Sequence, residues 1–263
     1  MKIKRTVNLS SSPPSVKPAT ETRVFDATIA VRLSFLSYMT ESSALDIELS
    51  HLGALQVHHF VDRKTASAHG FACIIHRQAW ICFRGSDERR DWIANLSFLS
   101  KDGVHRGFLR EWQKFEPQVK SWLEGNETDF DTICTTGHSL GGAIAVLCAR
   151  SSFDWYPGRV SQIITLGAPP VFYSYEAQKF AERKLRDQLG AEALQYRCLR
   201  IIHRNDIVTW FPLMVGLTHV GEEIIIGGRG LWGRLFDVIH NIDNTLGRSL
   251  TRFDKKRIFL VEI

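Results

Sequence analysis

The sequence contains few cysteines, and their spacing does not pair them. Five cysteines occur among 263 residues, with no Cys-x-x-Cys pair. An odd number without close pairs is not typical of a disulfide framework. Most of them stand in apolar runs, where a free thiol behaves as a small hydrophobic side chain. We therefore expect a reducing compartment, by default the cytoplasm.

Long hydrophobic runs are also absent. No apolar stretch approaches the ~18 residues of a membrane helix. The chain begins with Lys2, Lys4 and Arg5, but a polar segment rich in serine and proline follows. A cleavable signal peptide needs an apolar segment at that point. We predict neither a transmembrane segment nor a signal peptide, and export without a signal stays the alternative.

Positive charge is in mild excess. The formal net charge is +5 and the pI is about 9.0. No basic stripe with interleaved aromatic residues matches a nucleic-acid motif, so we expect no nucleic-acid partner. The clearest basic cluster is Arg248, Arg252, Lys255, Lys256 and Arg257. It is either a solvated face or a surface for transient contact with anionic lipid.

The chain divides into a polar N-terminal segment and one domain. Residues 1–23 carry Pro13, Pro14 and Pro18 and are predicted to form a flexible tail. Residues 24–263 show no linker-like break and no internal repeat. We predict that they form a single domain.

Stretches rich in β-forming residues alternate with stretches of helical spacing. The predicted strands are Leu55–Val61, Ala68–Ile75, Ala79–Phe83, Thr132–Thr136, Val160–Leu166, Leu199–Ile202 and Glu223–Ile226. Helices are predicted over about 26–39, over 109–123 with a kink or break at Pro117, from Leu140 onward, and over 177–189. This order predicts an α/β fold, with a mostly parallel central sheet flanked by helices on both faces.

The strongest chemical signal is Gly137-His138-Ser139-Leu140-Gly141. A G-x-S-x-G motif arises by chance in a chain of this length roughly one time in ten, so its setting decides. It lies between a buried strand and an amphipathic helix, which is the setting of the nucleophile elbow in the α/β-hydrolase fold. We predict that Ser139 is a nucleophile. His138 is a poor base because neighbours on a sharp turn project differently, and we expect it to pack beneath the turn.

Four sequence blocks share their order and spacing with one known family, from about residue 25 to the C-terminus. They are Phe83-Arg84-Gly85-Ser86 followed by Asp91-Trp92-Ile93-Ala94-Asn95-Leu96; Val104-His105-Arg106-Gly107-Phe108; Thr136-Gly-His-Ser-Leu-Gly-Gly-Ala143; and Asn205-Asp206-Ile207-Val208 with Leu217-Thr218-His219-Val220-Gly221-Glu222-Glu223. Together they resemble the class 3 lipase family, the fungal-lipase-like branch of the α/β-hydrolases.

The resemblance implies an oxyanion hole and a lid. Ser86 would offer its backbone N–H, and the backbone N–H of Leu140 would be the second donor. Losing one such donor typically costs ~3 kcal/mol of barrier. Residues 87–96 would form a short lid with Trp92, Ile93 and Leu96 on its apolar side. An ordinary surface helix is the alternative for that segment.

A serine nucleophile needs a histidine base and a carboxylate that orients it. Asp206 follows a predicted strand, where sites in such sheets cluster, and it lies in the family's Asn-Asp-Ile-Val block; Asp237 and Asp243 are the alternatives. The resemblance implies a base near the C-terminus, which is His240 here, although the tyrosine that often follows in the family is absent. His219 is the alternative base.

These residues predict a serine hydrolase that cleaves acyl esters through an acyl-enzyme. By the resemblance it is a lipase acting on acylglycerols or similar lipid esters. A phospholipase or a short-chain carboxylesterase is the alternative within the same chemistry, and peptidase or thioesterase activity would use the same residues. A non-catalytic interaction module on the same fold is the alternative from another class. No His-Glu-x-x-His or comparable spacing occurs, so we expect no metal and no cofactor.

Overall fold

The computed structural model describes residues 17–39, 41–62, 68–85, 100–101, 103–177, 198–203 and 216–226. The helices in these ranges are α1 (Lys17–Leu36), α2 (Ser42–His51), α3 (Arg106–Gly125) and α4 (Leu140–Trp155), and residues 174–177 are helical as well. The strands are β1 (Leu55–Val61), β2 (Ala68–Ile75), β3 (Gln78–Phe83), β4 (Ser100–Lys101), β5 (Val104–His105), β6 (Thr132–His138), β7 (Val160–Leu166), β8 (Phe172–Tyr173), β9 (Cys198–His203), β10 (Leu217–Thr218) and β11 (Glu222–Ile226).

A seven-stranded sheet forms the centre of the molecule, in the order β1-β2-β3-β6-β7-β9-β11. The pairs β1–β2 and β2–β3 are antiparallel, and β3–β6, β6–β7, β7–β9 and β9–β11 are parallel. The parallel strands therefore end at one common edge. The predicted mostly parallel sheet is confirmed.

The central strands β3, β6 and β7 are buried on both faces, as their apolar character requires. Alternate residues of β3 enter two different cores because successive side chains point to opposite faces. Ala79, Ile81 and Phe83 pack with residues of α3 and α4. Trp80 and Cys82 pack with residues of α1 and α2. Helices thus cover both faces, as predicted.

A second, four-stranded sheet lies beside the end of β7, in the order β10-β8-β5-β4. Its strands are two residues long and all three pairings are antiparallel. Strands of two residues show no periodicity, so this sheet was not predicted from the sequence. Its pairing joins the segment after β7 to the start of α3, since the N–H of His105 donates to the carbonyl of Val171 at 3.0 Å.

The helices differ from the prediction in three respects. Helix α1 begins at Lys17, inside the segment predicted as a tail, whereas residues 1–16 lie outside the described residues. Helix α2 was not predicted. Helix α3 runs from Arg106 to Gly125 with Pro117 inside it, so the predicted break there is wrong. The helix predicted over 177–189 lies outside the described residues except for Ala177.

Candidate active site

The predicted nucleophile stands where β6 gives way to α4. Its backbone has φ 54° and ψ −124°, a conformation that a residue with a side chain rarely adopts. The N–H of Ser139 donates to the carbonyl of Leu166 on β7 at 2.9 Å. The carbonyl of Ser139 accepts from Gly142 at 3.0 Å and from Ala143 at 3.3 Å. A strained residue held from both sides at a strand–helix junction is a nucleophile elbow.

Glycines make the turn sterically feasible. A Cβ added to Gly141 would collide with the carbonyl oxygen of Phe83 at the end of β3. A Cβ on Gly137 would lie 2.5 Å from the backbone of Gly141, and one on Gly142 would lie 2.6 Å from the Cβ of Ala168. Side chains are excluded at Gly137 and Gly141 because the backbones of β3 and of the elbow touch, and at Gly142 because Ala168 packs against it.

The hydroxyl of Ser139 is buried. The residue is 1% exposed, and its Oγ has no hydrogen-bond partner among the described residues. A buried polar atom is normally paired, and an unpaired serine hydroxyl at a strand–helix elbow is consistent with a functional group. Leu140 is the first residue of α4, so its N–H has no acceptor within the helix. The predicted nucleophile and an N–H without an acceptor inside the helix thus lie side by side at the positive end of a helix dipole.

The end of β3 lies directly against the elbow. A Cβ built on Gly85 would stand 3.4 Å from the Cβ of Ser139 and 2.7 Å from the carbonyl oxygen of His138. The predicted oxyanion residue, Ser86, follows Gly85 but lies outside the described residues.

The histidine inside the motif is bound elsewhere. The Nδ1 of His138 is 2.7 Å from the hydroxyl oxygen of Tyr38, which follows α1. The two rings lie at 5.7 Å between centroids. No described residue, His138 included, forms a hydrogen bond to the Oγ of Ser139. This arrangement supports the interpretation that His138 is not the base.

The other predicted site residues lie outside the described residues: Asp206, His240, and the lid residues Trp92, Ile93 and Leu96. The alternative acids Asp237 and Asp243 lie outside them as well. The alternative base, His219, is described and follows β10 in the second sheet. Their roles stay predictions.

His105 has a structural role that the sequence analysis did not assign. Its side chain caps α3, with Nδ1 accepting from the N–H of Phe108 at 3.4 Å. Its ring lies 4.3 Å from that of Phe108, and burial lowers the pKa of its imidazole. The signal for this cap was the position of His105 immediately before a run with helical spacing.

The described residues contain neither a metal-binding cluster nor a membrane-spanning helix. No group of three or more His, Cys, Asp or Glu side chains there could hold a metal ion. No described helix has the length and apolar character needed to cross a membrane.

Comparison with known proteins gives the relationship. A family model for lipase (class 3) matches residues 80–216, which include the elbow and the end of β3. The chain belongs to the class 3 lipase family. The resemblance inferred from the four sequence blocks is confirmed.

Fungal lipases are among the relatives of this class 3 lipase family member. A lipase of Rhizomucor miehei is 29% identical over 154 residues, which cover 55% of this chain and 40% of the relative. The secreted mono- and diacylglycerol lipase 1 of Fusarium solani is 32% identical over 159 residues, covering 56% of this chain and 44% of the relative. The aligned part therefore spans less than half the length of either relative.

A solved structure shows the same fold. The triacylglyceride lipase of Rhizomucor miehei superposes with a TM-score of 0.59 at 21% identity, covering 82% of this chain and 83% of that one. The α/β-hydrolase fold is confirmed.

Proposed function

We propose that the protein is a serine hydrolase of lipid esters, a lipase acting on acylglycerols or similar substrates. The observation that carries the proposal is the strained, buried Ser139 at the elbow, with an unpaired Oγ beside the first N–H of α4. Family membership and the names of the fungal relatives support the ester class.

In the proposed reaction the Oγ of Ser139 attacks the ester carbonyl and gives its proton to His240, which Asp206 orients. The tetrahedral oxyanion accepts hydrogen bonds from the N–H groups of Leu140 and Ser86. His240 then protonates the departing alcohol, and water hydrolyses the acyl-enzyme by the same steps in reverse order. Each oxyanion donor contributes roughly 3 kcal/mol to lowering the barrier.

The sheet register supports the roles of Ser86 and Asp206. Phe83 pairs with Gly137, and His138 pairs with Leu166, which pairs with Ile201 of β9. Strands β3, β6 and β9 are parallel and end at the same edge of the sheet. Ser86 and Asp206 each follow a few residues beyond such an end, the region where ligands bind in open α/β sheets.

The burial of Ser139 supports a gated site. At 1% exposure its hydroxyl is out of reach of a bulky ester, so what covers it must move before reaction. We propose that residues 87–96 supply this cover, with Trp92, Ile93 and Leu96 on its apolar side. A transient contact with a lipid surface would then open the site.

Fluorophosphonate labelling tests the proposed nucleophile. We expect a covalent adduct on Ser139 and no adduct in the Ser139→Ala variant. The matched control is Ser152→Ala, because Ser152 is a fully buried serine on α4 outside the elbow. Labelling that persists in Ser139→Ala or moves to another serine would overturn the assignment. A folded chain that neither labels nor hydrolyses any ester would support the interaction module instead.

Two histidine variants test the base. We expect His240→Ala to lose at least about a hundredfold in nitrophenyl-ester hydrolysis, since general base catalysis typically contributes 10²–10⁴-fold. His219→Ala should retain the chemistry. The reverse result would make His219 the base.

A substrate series tests the ester class. Hydrolysis rates are compared for short-chain esters, acylglycerols and phospholipid vesicles, below and above the substrate's solubility limit. A lipase shows its highest rate on acylglycerols, with a jump when an interface forms. A preference for soluble short esters indicates a carboxylesterase, and a preference for the vesicles indicates a phospholipase.

We also propose a cytoplasmic location. All five cysteines are free, and unpaired thiols are typical of proteins kept in a reducing compartment. The Fusarium relative is named a secreted lipase, which favours export as the alternative. Fractionation of cells expressing the chain distinguishes the two.

A further inference from the structure

Tyr38 occupies the junction between the elbow and the end of β3. Its hydroxyl oxygen lies 2.7 Å from Nδ1 of His138, the residue before Ser139. The same hydroxyl fills the space where a Cβ on Gly85 would stand, on the side of that residue facing His138 and Ser139. One phenol therefore contacts the elbow and the backbone that leads into Ser86.

The helix end that precedes Tyr38 is hydrogen-bonded to the sheet. Tyr38 follows α1, and its N–H donates to the carbonyl of Phe35 at 3.1 Å. Close by, the hydroxyl of Ser34 is 3.0 Å from that of Thr136 on β6, and Thr136 also donates to the carbonyl of Ala30 at 3.3 Å. The end of α1 is thus hydrogen-bonded to the strand that carries the elbow.

Arg84 lies over the ring of the tyrosine. Its guanidinium carbon lies 5.7 Å from the centroid of the Tyr38 ring, within cation–π range. The residue directly after Arg84 is Gly85, so this contact also joins the tyrosine to the end of β3.

We infer that Tyr38 is a positioning residue for the proposed hydrolysis, whose hydroxyl fixes the backbone of Gly85 relative to Ser139. This inference rests on the proposed function. Oxyanion donors act only when they lie about 3 Å from where the oxyanion forms. A shift of about 1 Å in such a group can cost a hundredfold in rate. Because the Tyr38 hydroxyl contacts both Gly85 and the elbow, it prevents such a shift.

The Tyr38→Phe variant isolates the hydroxyl because it keeps the ring and its packing. We expect kcat for a soluble ester to fall about tenfold per active site, a fraction of what a full misplacement costs. The KM should stay within about twofold, because the change affects the transition state and not substrate binding. Active sites are counted by titration with a fluorophosphonate, so that unfolded protein does not enter the rate.

A boronic acid gives a readout that a merely structural role would not change. It forms a tetrahedral adduct with the serine, and its charged oxygen occupies the oxyanion hole. We expect its affinity to fall about tenfold in Tyr38→Phe, in proportion to kcat/KM, as transition-state complementarity requires. The matched control is Tyr156→Phe, a buried tyrosine after the far end of α4 that packs on Phe130. That control should keep both values.

A double-mutant cycle tests the link through His138. His138→Leu should lower kcat by a factor similar to that of Tyr38→Phe, and the two losses should not multiply when combined. If His138→Leu fails to fold, Tyr38→Phe and its control decide the question.

If the wild type is active and Tyr38→Phe keeps its kcat and its boronic-acid affinity, the inference is overturned and the proposed function is not. Losses that multiply in the double variant would overturn the link through His138. A wild type that neither labels nor hydrolyses esters would overturn the proposed function and the inference with it.

Discussion

At the residue scale, the elbow depends on glycines, which have no side chain. The backbone of Ser139 adopts φ 54°, and such a conformation costs about 1–3 kcal/mol. The bonds to Leu166, Gly142 and Ala143 offset that cost. They can form only because Gly137 and Gly141 let three backbone segments touch.

Gly141→Ala is predicted to disrupt the elbow. Its new Cβ would collide with the carbonyl oxygen of Phe83, a backbone atom in a central strand that cannot rotate away. Overpacking of this kind costs roughly 3 kcal/mol or more. Urea unfolding should show the loss, and ester hydrolysis should fall with it.

Gly125→Ala is the matched control, because a Cβ there meets nothing within 4 Å at the end of α3. Its stability should be unchanged or slightly higher. Equal stabilities for the two variants would refute the steric explanation.

At the element scale, α3 shows packing overriding local propensity. Its apolar face buries Phe108, Trp112, Phe115, Val119, Trp122 and Leu123. Full burial of each such side chain stabilises the fold by about 1.5–3 kcal/mol. A proline inside a helix costs ~3 kcal/mol, less than this face contributes. Pro117 and Gln113 both stand on the exposed side, where water can bond the carbonyl that loses its partner.

Pro117→Ala is predicted to stabilise the protein. The variant regains a helical N–H donor and removes the ring clash, while the unfolded chain gains some freedom. The net gain should be about 1–2 kcal/mol in urea unfolding. Gln113→Ala, on the same exposed face, should change stability by less than about 0.5 kcal/mol. A loss of stability in Pro117→Ala would show that the proline fits α3 without strain.

At the scale of the whole molecule, Asp26 ties the first helix to the sheet. It is 2% exposed on α1, and its carboxylate accepts from the side-chain amide of Gln78 on β3 at 3.5 Å. Burial raises the pKa of this carboxyl, and hydrogen bonds from Gln78 and Gln162 only partly oppose the shift. Asp26 is therefore protonated more readily in the folded chain than in the unfolded chain.

Asp26→Asn is predicted to change the pH dependence of stability. Because the folded pKa is raised, the contribution of Asp26 is fully present below the ordinary value of about 3.9 and is lost as pH rises through the raised pKa. Asparagine cannot ionise. The free energy of unfolding of the variant should therefore rise relative to that of the wild type as pH rises from about 4 toward 8. Unfolding free energies measured across that range test this, and a constant difference between the two proteins would contradict it.

Much of the architecture could be predicted from residue patterns. The buried strands on either side of the elbow were predicted within a few residues, because long apolar runs and strand–helix alternation are local signals. The two-residue strands, α2 and the first turns of α1 were missed, since their residues carry no clear period. The contact between Tyr38 and His138 was also missed, because it joins residues 100 positions apart.

The sequence by itself determined the family and the α/β-hydrolase class, and it singled out Ser139 as the predicted nucleophile. A motif between a buried strand and an amphipathic helix needs no distant information. Only the tertiary structure decided that Gly85 lies against Ser139, that His138 bonds to Tyr38, and that the Oγ of Ser139 is buried. These facts depend on the parallel pairing of β3 with β6 and on the docking of α1. Both arise from side chains far apart in the chain, and no local pattern encodes them.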